Sequence, residues 1–351
     1  MSSSKYELLS RAGDFEEKAG IELFYTAPLP VPTGAVAYSS RKLHRESNAV
    51  FLDFSNGSAS VEFGVRGWTG VVVFLFLFFS IISLGLGLYE YINYGRSPFR
   101  VLIGVLSPNW MVWGVIGFVS LVNTYLFLRT IHQLTTSPPI RFNRQRREVA
   151  YVAKRGQPPC FVPWEEIIAC VTSGKVVTQY GVHNSFSLMI GLRDAESGDV
   201  LWITVPTGSL MLAVSEWEAI RSYMEEGLGA LPRPVSEEFE PGTVAFFHYC
   251  RQVYRDNHSY LRYLFGFMLI QFCSGWTLPC HIAAWVERLP KTSFPKAVLE
   301  WSKPLPPEQW QKPSDELIEE SKAVRKSLRA GRSVFDHFRD VAKARSHGKS
   351  A

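Results

Sequence analysis

Apolar residues are segregated along this chain rather than spread through it. The 23 residues between Arg66 and Glu90 carry no charge, and Val71 to Phe79 is an unbroken apolar run. About 20 apolar residues cross the roughly 30 Å hydrocarbon core of a bilayer. A soluble helix would keep a polar stripe, and none repeats here. The pattern predicts a membrane-spanning helix over 67–89, too deep in the chain to be a cleaved signal peptide. A second uncharged stretch separates Arg100 from Arg129. Ser107–Pro108–Asn109 reads as a helix start, with Pro tolerated in the first turn, and predicts a second span over 108–128. Trp68, Tyr89, Tyr91, Tyr94, Trp110 and Trp113 flank these segments, as interfacial aromatic belts do. The linking segment is too short for a domain, so the two helices make a hairpin.

A third uncharged stretch, Tyr263 to Val286, is interrupted by Gln271, Ser274, Thr277, Pro279 and His281. If it spans, the tail from Glu287 lies on the far side of the membrane. That tail carries 14 Lys/Arg against nine Asp/Glu, which favours the near side. A re-entrant or interfacial segment satisfies the charge, provided protein shields its irregular backbone. Both readings stay open. Tyr254–Arg255–Asp256–Asn257–His258 and Arg262 precede the stretch and predict an interfacial helix, giving a region over 244–289. Lys and Arg concentrate after the second helix, at Arg129, Arg141, Arg144, Arg146, Arg147, Lys154 and Arg155, against Arg96 and Arg100 in the linking loop. By the positive-inside rule, the N-terminus and residues 129–262 are cytoplasmic.

Outside the apolar segments the period changes to two. Residues 1–66 form a polar arm. Ala49–Phe54 and Ser60–Phe63 read as short strands around a turn at Ser55–Asn56–Gly57, able to pair with later strands. Within 138–228, Ile140–Phe142 and Val149–Val152 alternate around a polar hairpin loop, Asn143 to Glu148. Cys160–Trp164, Ile167–Val171, Lys175–Thr178, a one-sided row at Phe186, Leu188, Ile190 and Leu192, and Val200–Val205 complete six or seven antiparallel strands. Ser215–Glu216–Trp217–Glu218 has the form of a capping box. It predicts an amphipathic helix with Trp217, Ile220, Met224 and Leu228 on one face, ended by Gly227 or Gly229. Residues 290–351 form the tail. Trp301, Pro304, Pro306, Pro307, Trp310 and Pro313 make an extended segment that packs on the β module or acts as a peptide-like ligand. A broken amphipathic helix follows from Ser314, and the last residues from about Arg345 read as disordered.

The chain has 351 residues, a formal charge of +5, 14% aromatic and 20% charged residues. These values exclude disordered and collagen-like classes, and so mild a positive balance gives no nucleic-acid partner. The five cysteines include no CxxC pair. Cys273, Cys280 and His281 are the nearest approach to a metal set, and packing residues explain them better. Glu165 and Glu166, adjacent on a strand, point to opposite faces and do not form an acid–base pair. His183 and Ser185 sit in a loop-like stretch without a nucleophile elbow, and no phosphate-binding glycine loop is present. The reading is therefore of a non-enzyme with no catalytic residues, no metal site and no cofactor. The candidate contact for anionic lipid or a protein partner is the basic run Arg141, Arg144, Arg146 and Arg147. Clustered cations beside a membrane each gain about 1 kcal/mol from anionic lipid.

The strand count and closing helix of 138–228 resemble the pleckstrin-homology-like (PH-like) fold. Pro139 to Val149, followed by Val162–Pro163–Trp164–Glu165, is similar to an uncharacterised proteobacterial membrane-protein family, DUF6708, over about 60–300. The resemblance implies a setting near type VI secretion genes. It implies immunity against a secreted antibacterial toxin, with the toxin or a secretion-system protein as partner beside the lipid bilayer. It carries over no catalytic residue, and fold alone does not give function. The expectation is an α+β integral membrane protein of the bacterial inner membrane. A transmembrane helix hairpin is followed by a PH-like antiparallel β module closed by an amphipathic helix, then a third apolar segment and a helical tail. The alternatives are a membrane-anchored scaffold or regulator and a membrane-acting toxin component.

Overall fold

The computed structural model describes residues 10–339 except 11, 19, 40–42, 56–58, 96, 98, 101–102, 105–109, 137, 154–155, 179–180, 195–197, 233–239, 241 and 291. The expected helix start at Ser107–Asn109, most of the turn at 55–57, Arg96, Lys154, Arg155 and the chain end from Arg345 lie outside the described residues. The chain divides into two compact units, each assembled from separated segments. One comprises Met1–Asn56, Ser137–Pro234 and Ser293–Ala351, and the other Gly57–Thr136 and Val235–Thr292.

The first unit is built on two five-stranded antiparallel sheets. One has the order β1 (Phe15–Lys18), β2 (Ile21–Ala27), β8 (Ile168–Thr178), β9 (Gly181–Arg193), β10 (Val200–Thr207). The other has the order β3 (His44–Ser47), β4 (Phe51–Phe54), β5 (Ile140–Asn143), β6 (Glu148–Tyr151), β7 (Cys160–Pro163). The polar arm enters both sheets, β2 pairing with β8 and β4 with β5. Leu188, Ile190 and Leu192 are fully buried, because a strand puts every second side chain on the core face. They pack in one cluster with Phe54, Phe142, Trp164 and Trp217. Trp164 and Trp217 stack at 5.5 Å, an aromatic pair worth about 0.5–1.5 kcal/mol beyond the area it buries.

Helix α3, Leu210–Glu226, closes this core through Trp217, Ile220, Tyr223 and Met224. It begins a turn and a half earlier than the capping-box reading places it. Ser209 is the N-cap and accepts from the Leu212 amide at 3.2 Å. Glu218 has different work: it accepts from the amide and hydroxyl of Thr33 and from Arg221. Leu228 lies beyond the helix end and is exposed, whereas Gly227 caps it at φ 98°. Trp164–Glu166 is a 3-10 turn rather than strand, and His183 and Ser185 fall within β9 rather than in a loop.

The second unit holds the long helices α1, Ala59–Tyr94, and α2, Trp110–Thr136. Ser60–Phe63, expected as a strand, is the first turn of α1. Val61–Tyr94 and Trp110–Thr136 are long and apolar enough to cross a membrane. Among their described residues, Phe74, Ile81, Ile92, Trp110, Phe118 and Leu121 are exposed. Helices α4 (Val244–Asn257), α5 (Tyr260–Tyr263), α6 (Ile270–Cys273) and α7 (Leu278–Glu287) complete the unit, with a π-helical turn, Leu264–Leu269, between α5 and α6.

Candidate functional site

The basic hairpin β5–β6 is the sequence-predicted contact, and the structure turns it inward. Asn143 shapes the turn: its Oδ1 accepts from the amides of Gln145 and Arg146 at 3.0 and 3.1 Å, the local substitute for a backbone turn that Asn favours. Arg147 closes the loop at φ 51°, an uncommon value for a residue with a side chain. Its own contacts hold it there.

Arg141 is 5% exposed. Its guanidinium forks onto Asp53, Nε to Oδ1 at 2.6 Å and Nη2 to Oδ2 at 2.7 Å, and its Nη1 donates to Ser302 at 3.0 Å. The plane lies 3.5 Å from the Phe51 ring centroid and 4.4 Å from that of Phe294. Bidentate geometry and aromatic stacking are what a guanidinium offers and an ammonium does not. Burial pushes the Asp53 carboxyl above its ordinary range, and Arg141 pulls it part of the way back.

Arg147 is 8% exposed. It donates to both Glu225 oxygens at 3.0 and 2.8 Å and to Glu165 at 3.1 Å. The Trp164 indole N–H also reaches Glu225, at 2.8 Å. The closing helix, the 3-10 turn and the hairpin are thereby joined through one carboxylate.

The other two arginines meet the C-terminal segment. Arg146 Nε donates to the Trp301 carbonyl at 2.9 Å, and Arg144 lies 5.7 Å from the Trp310 ring. Between them Gln145 takes the Leu305 amide on its side chain at 2.7 Å and the Gln311 amide on its carbonyl at 2.9 Å. Trp301 donates to Glu148 at 2.8 Å, and the Ser314 amide to Glu165 at 3.1 Å. The Pro/Trp segment is thus a strap across the hairpin. Beyond it α8, Asp315–Arg329, begins at the Ser314 cap and packs Leu317 and Val324 with Phe24 and Val31.

This geometry gives each of the four arginines of the candidate contact a place within the unit. Arg141 and Arg147 are buried and ion-paired, and Arg144 and Arg146 are half-buried. What sequence reasoning missed are the arginines' side-chain partners, Asp53, Glu165, Glu225 and Ser302. The nearest, Glu165, is 18 positions from its arginine and Ser302 is 161 away, so no local period reveals them. Cys280 is buried and His281 exposed. Among the described residues no cluster of His, Cys, Asp and Glu is arranged to hold a metal.

The strapped hairpin falls inside a match to a family model over residues 118–303, just over half of the chain. The chain belongs to the DUF6708 family. DUF6708 is a family of unknown function. The matched span runs from within α2 through strands β5 to β10, α3 and α7 to the strap's first residues, so it includes Arg141, Arg147, Glu225 and Trp301. No curated protein and no solved structure matches the chain.

Proposed function

We propose that this DUF6708 protein is a membrane-anchored binding protein without catalytic activity, its β unit on the cytoplasmic face of the bacterial inner membrane. One observation carries the binding reading. Three buried arginines of the β unit are each ion-paired, Arg141 with Asp53, Arg147 with Glu165 and Glu225, Arg221 with Glu218. Such groups build a rigid platform rather than a reactive cleft. Outward apolar side chains along α1 and α2 support the anchor, and exposed Tyr89, Tyr91, Tyr94, Trp110 and Trp113 suit interfacial belts.

The recognition surface is the β unit's free outline. At the outer strand β10, Leu201 and Trp202 are exposed beside an edge that pairs on one side with β9. A strand edge of this kind accepts an added strand from a partner. The partner of choice is a secreted antibacterial toxin, neutralised at the membrane, and the PH-like likeness of the strand-and-helix pattern agrees with a binding role. Co-expression of the full chain with toxins encoded beside its gene tests this. Rescue by the wild type, reduced by Trp202→Ala, is expected. Equal killing with and without the protein removes the immunity reading and leaves the scaffold one.

A further inference from the structure

We infer that the third apolar segment, Tyr260–Glu287, does not cross the membrane: it enters one leaflet from the face on which the β unit stands and returns to that face. The inference rests on the membrane-anchored reading above.

The first argument is connectivity. The β unit combines the chain before α1, the chain between α2 and α4, and the chain after α7. These parts are interleaved: β2 pairs with β8, β4 with β5, and Leu317 and Val324 share a core with Phe24 and Val31. A bilayer cannot run through such a core. The chain must therefore leave and rejoin one face each time. Helices α1 and α2 satisfy this as two crossings. Residues 235–292 must cross an even number of times. Helix α4 has 14 residues, among them Arg251, Arg255 and Asp256. At 1.5 Å per residue it reaches about 21 Å, short of the roughly 30 Å core. It cannot be the partner crossing, so the even number is zero.

The second argument is depth, and it is independent. Helix α7 lies along the first turns of α1. Arg66 donates to the Trp276 carbonyl at 3.0 Å and to Gln271 at 2.8 Å, and its Nη2 lies 3.5 Å from Cys280 Sγ. Further on, Ala283 and Val286 share a cluster with Val61 and Val65, which lie nearer the start of α1. The segment therefore travels back toward that start. At its exit, Thr292 donates its amide and hydroxyl to the carbonyl of Thr135, at the end of α2. The start of α1, the end of α2 and the end of α7 are at one level.

The break between α6 and α7 is where an unshielded backbone would be costly in lipid. Gly275 has φ 87° and Trp276 φ 54°. Arg66, paired with Glu62, supplies the missing donors. A Cβ on Gly275 would stand 3.4 Å from Thr69, so the elbow sits directly on α1. The second half is bent by 45° from the line of the first, and Tyr260, Leu261, Phe265, Phe272, Leu278 and Trp285 are exposed. That surface fits the acyl chains of a single leaflet.

The test is sidedness of the full chain in intact spheroplasts. Epitope tags are placed at the N-terminus, at the C-terminus and at Gly95, and probed with protease before and after permeabilisation. Carbonate extraction is run in parallel. We expect carbonate-resistant protein with both terminal tags protected and the Gly95 tag cleaved; both termini cleaved and Gly95 protected supports the inference equally. A carbonate-resistant chain with its two termini on opposite sides overturns it. Release by carbonate overturns the membrane anchor itself, so the two failures are distinguishable.

Discussion

At the scale of single residues, the β unit depends on charges withdrawn from water. Removing one partner from a buried pair leaves the other uncompensated, at about 3–5 kcal/mol. Arg147→Ala strands Glu225, and Glu165 with it, inside the unit. A loss of that order is expected in the unfolding free energy of the detergent-solubilised chain, measured by denaturant titration. An Arg146→Ala loss of the same size would contradict the assignment, because Arg146 meets only a carbonyl. His44 gives a pH signature. Burial pushes its imidazole down to about 4 from an ordinary 6.5, against the ring of Phe54 at 6.1 Å. Between those values the unfolded chain binds the proton and the folded one does not. Stability from this site is therefore complete above pH 6.5 and falls as the pH drops toward 4. Thermal unfolding followed across that window should show a shallower fall in His44→Phe than in the wild type.

At the scale of elements, the strap and the hairpin stabilise each other. Trp301 packs at a tilt against Phe161, ring centroids 5.1 Å apart, and donates to Glu148. Its replacement by Ala removes both contacts, at about 1–3 kcal/mol. The Leu305 and Gln311 amides, which end on Gln145, should then exchange with solvent faster, while amides of β8 and β9 keep their protection. Unchanged exchange at 305 and 311 would mean that the strap is held elsewhere. How much of this was legible in the sequence differs by element. The apolar runs of α1 and α2 announce themselves, since lipid demands about 20 apolar residues in succession. Helix α3 was found but started at the wrong serine. Ser215 and Glu218 have capping-box spacing, yet Glu218 is taken by Thr33, 185 positions away. Strands β1 and β2 were not foreseen. Phe15–Lys18 and Ile21–Ala27 are edge and near-edge strands whose alternation is broken by Glu16, Glu17 and Glu22.

At the scale of the whole molecule, neither unit is a continuous piece of chain. Both sheets need the N-terminal arm, and the hairpin needs the strap. Residues 138–228 expressed alone contain six of the ten strands among the described residues and lack the contacts of β2 with β8 and of β4 with β5. That fragment should show no cooperative thermal transition and little amide dispersion in NMR spectra. A cooperatively folding fragment would show that arm and strap are accessories. Zero crossings by Tyr260–Glu287 belongs to the same scale, because it follows from which segments share a core.

The sequence by itself determined the two long apolar helices, the aromatic residues at their ends, the change to period two between 138 and 207, and membership of the family. These are local or cumulative properties that each stretch carries without reference to its neighbours. Only the tertiary structure decided what the basic run does. A row of Arg141, Arg144, Arg146 and Arg147 looks the same whether it faces lipid or a carboxylate. Asp53 and Glu225, 88 and 78 positions from their arginines, withdrew Arg141 and Arg147 from the surface. The path of the third apolar segment was decided in the same way. Its composition suits a span or a dip equally well, and the cores that join its two flanks choose the dip.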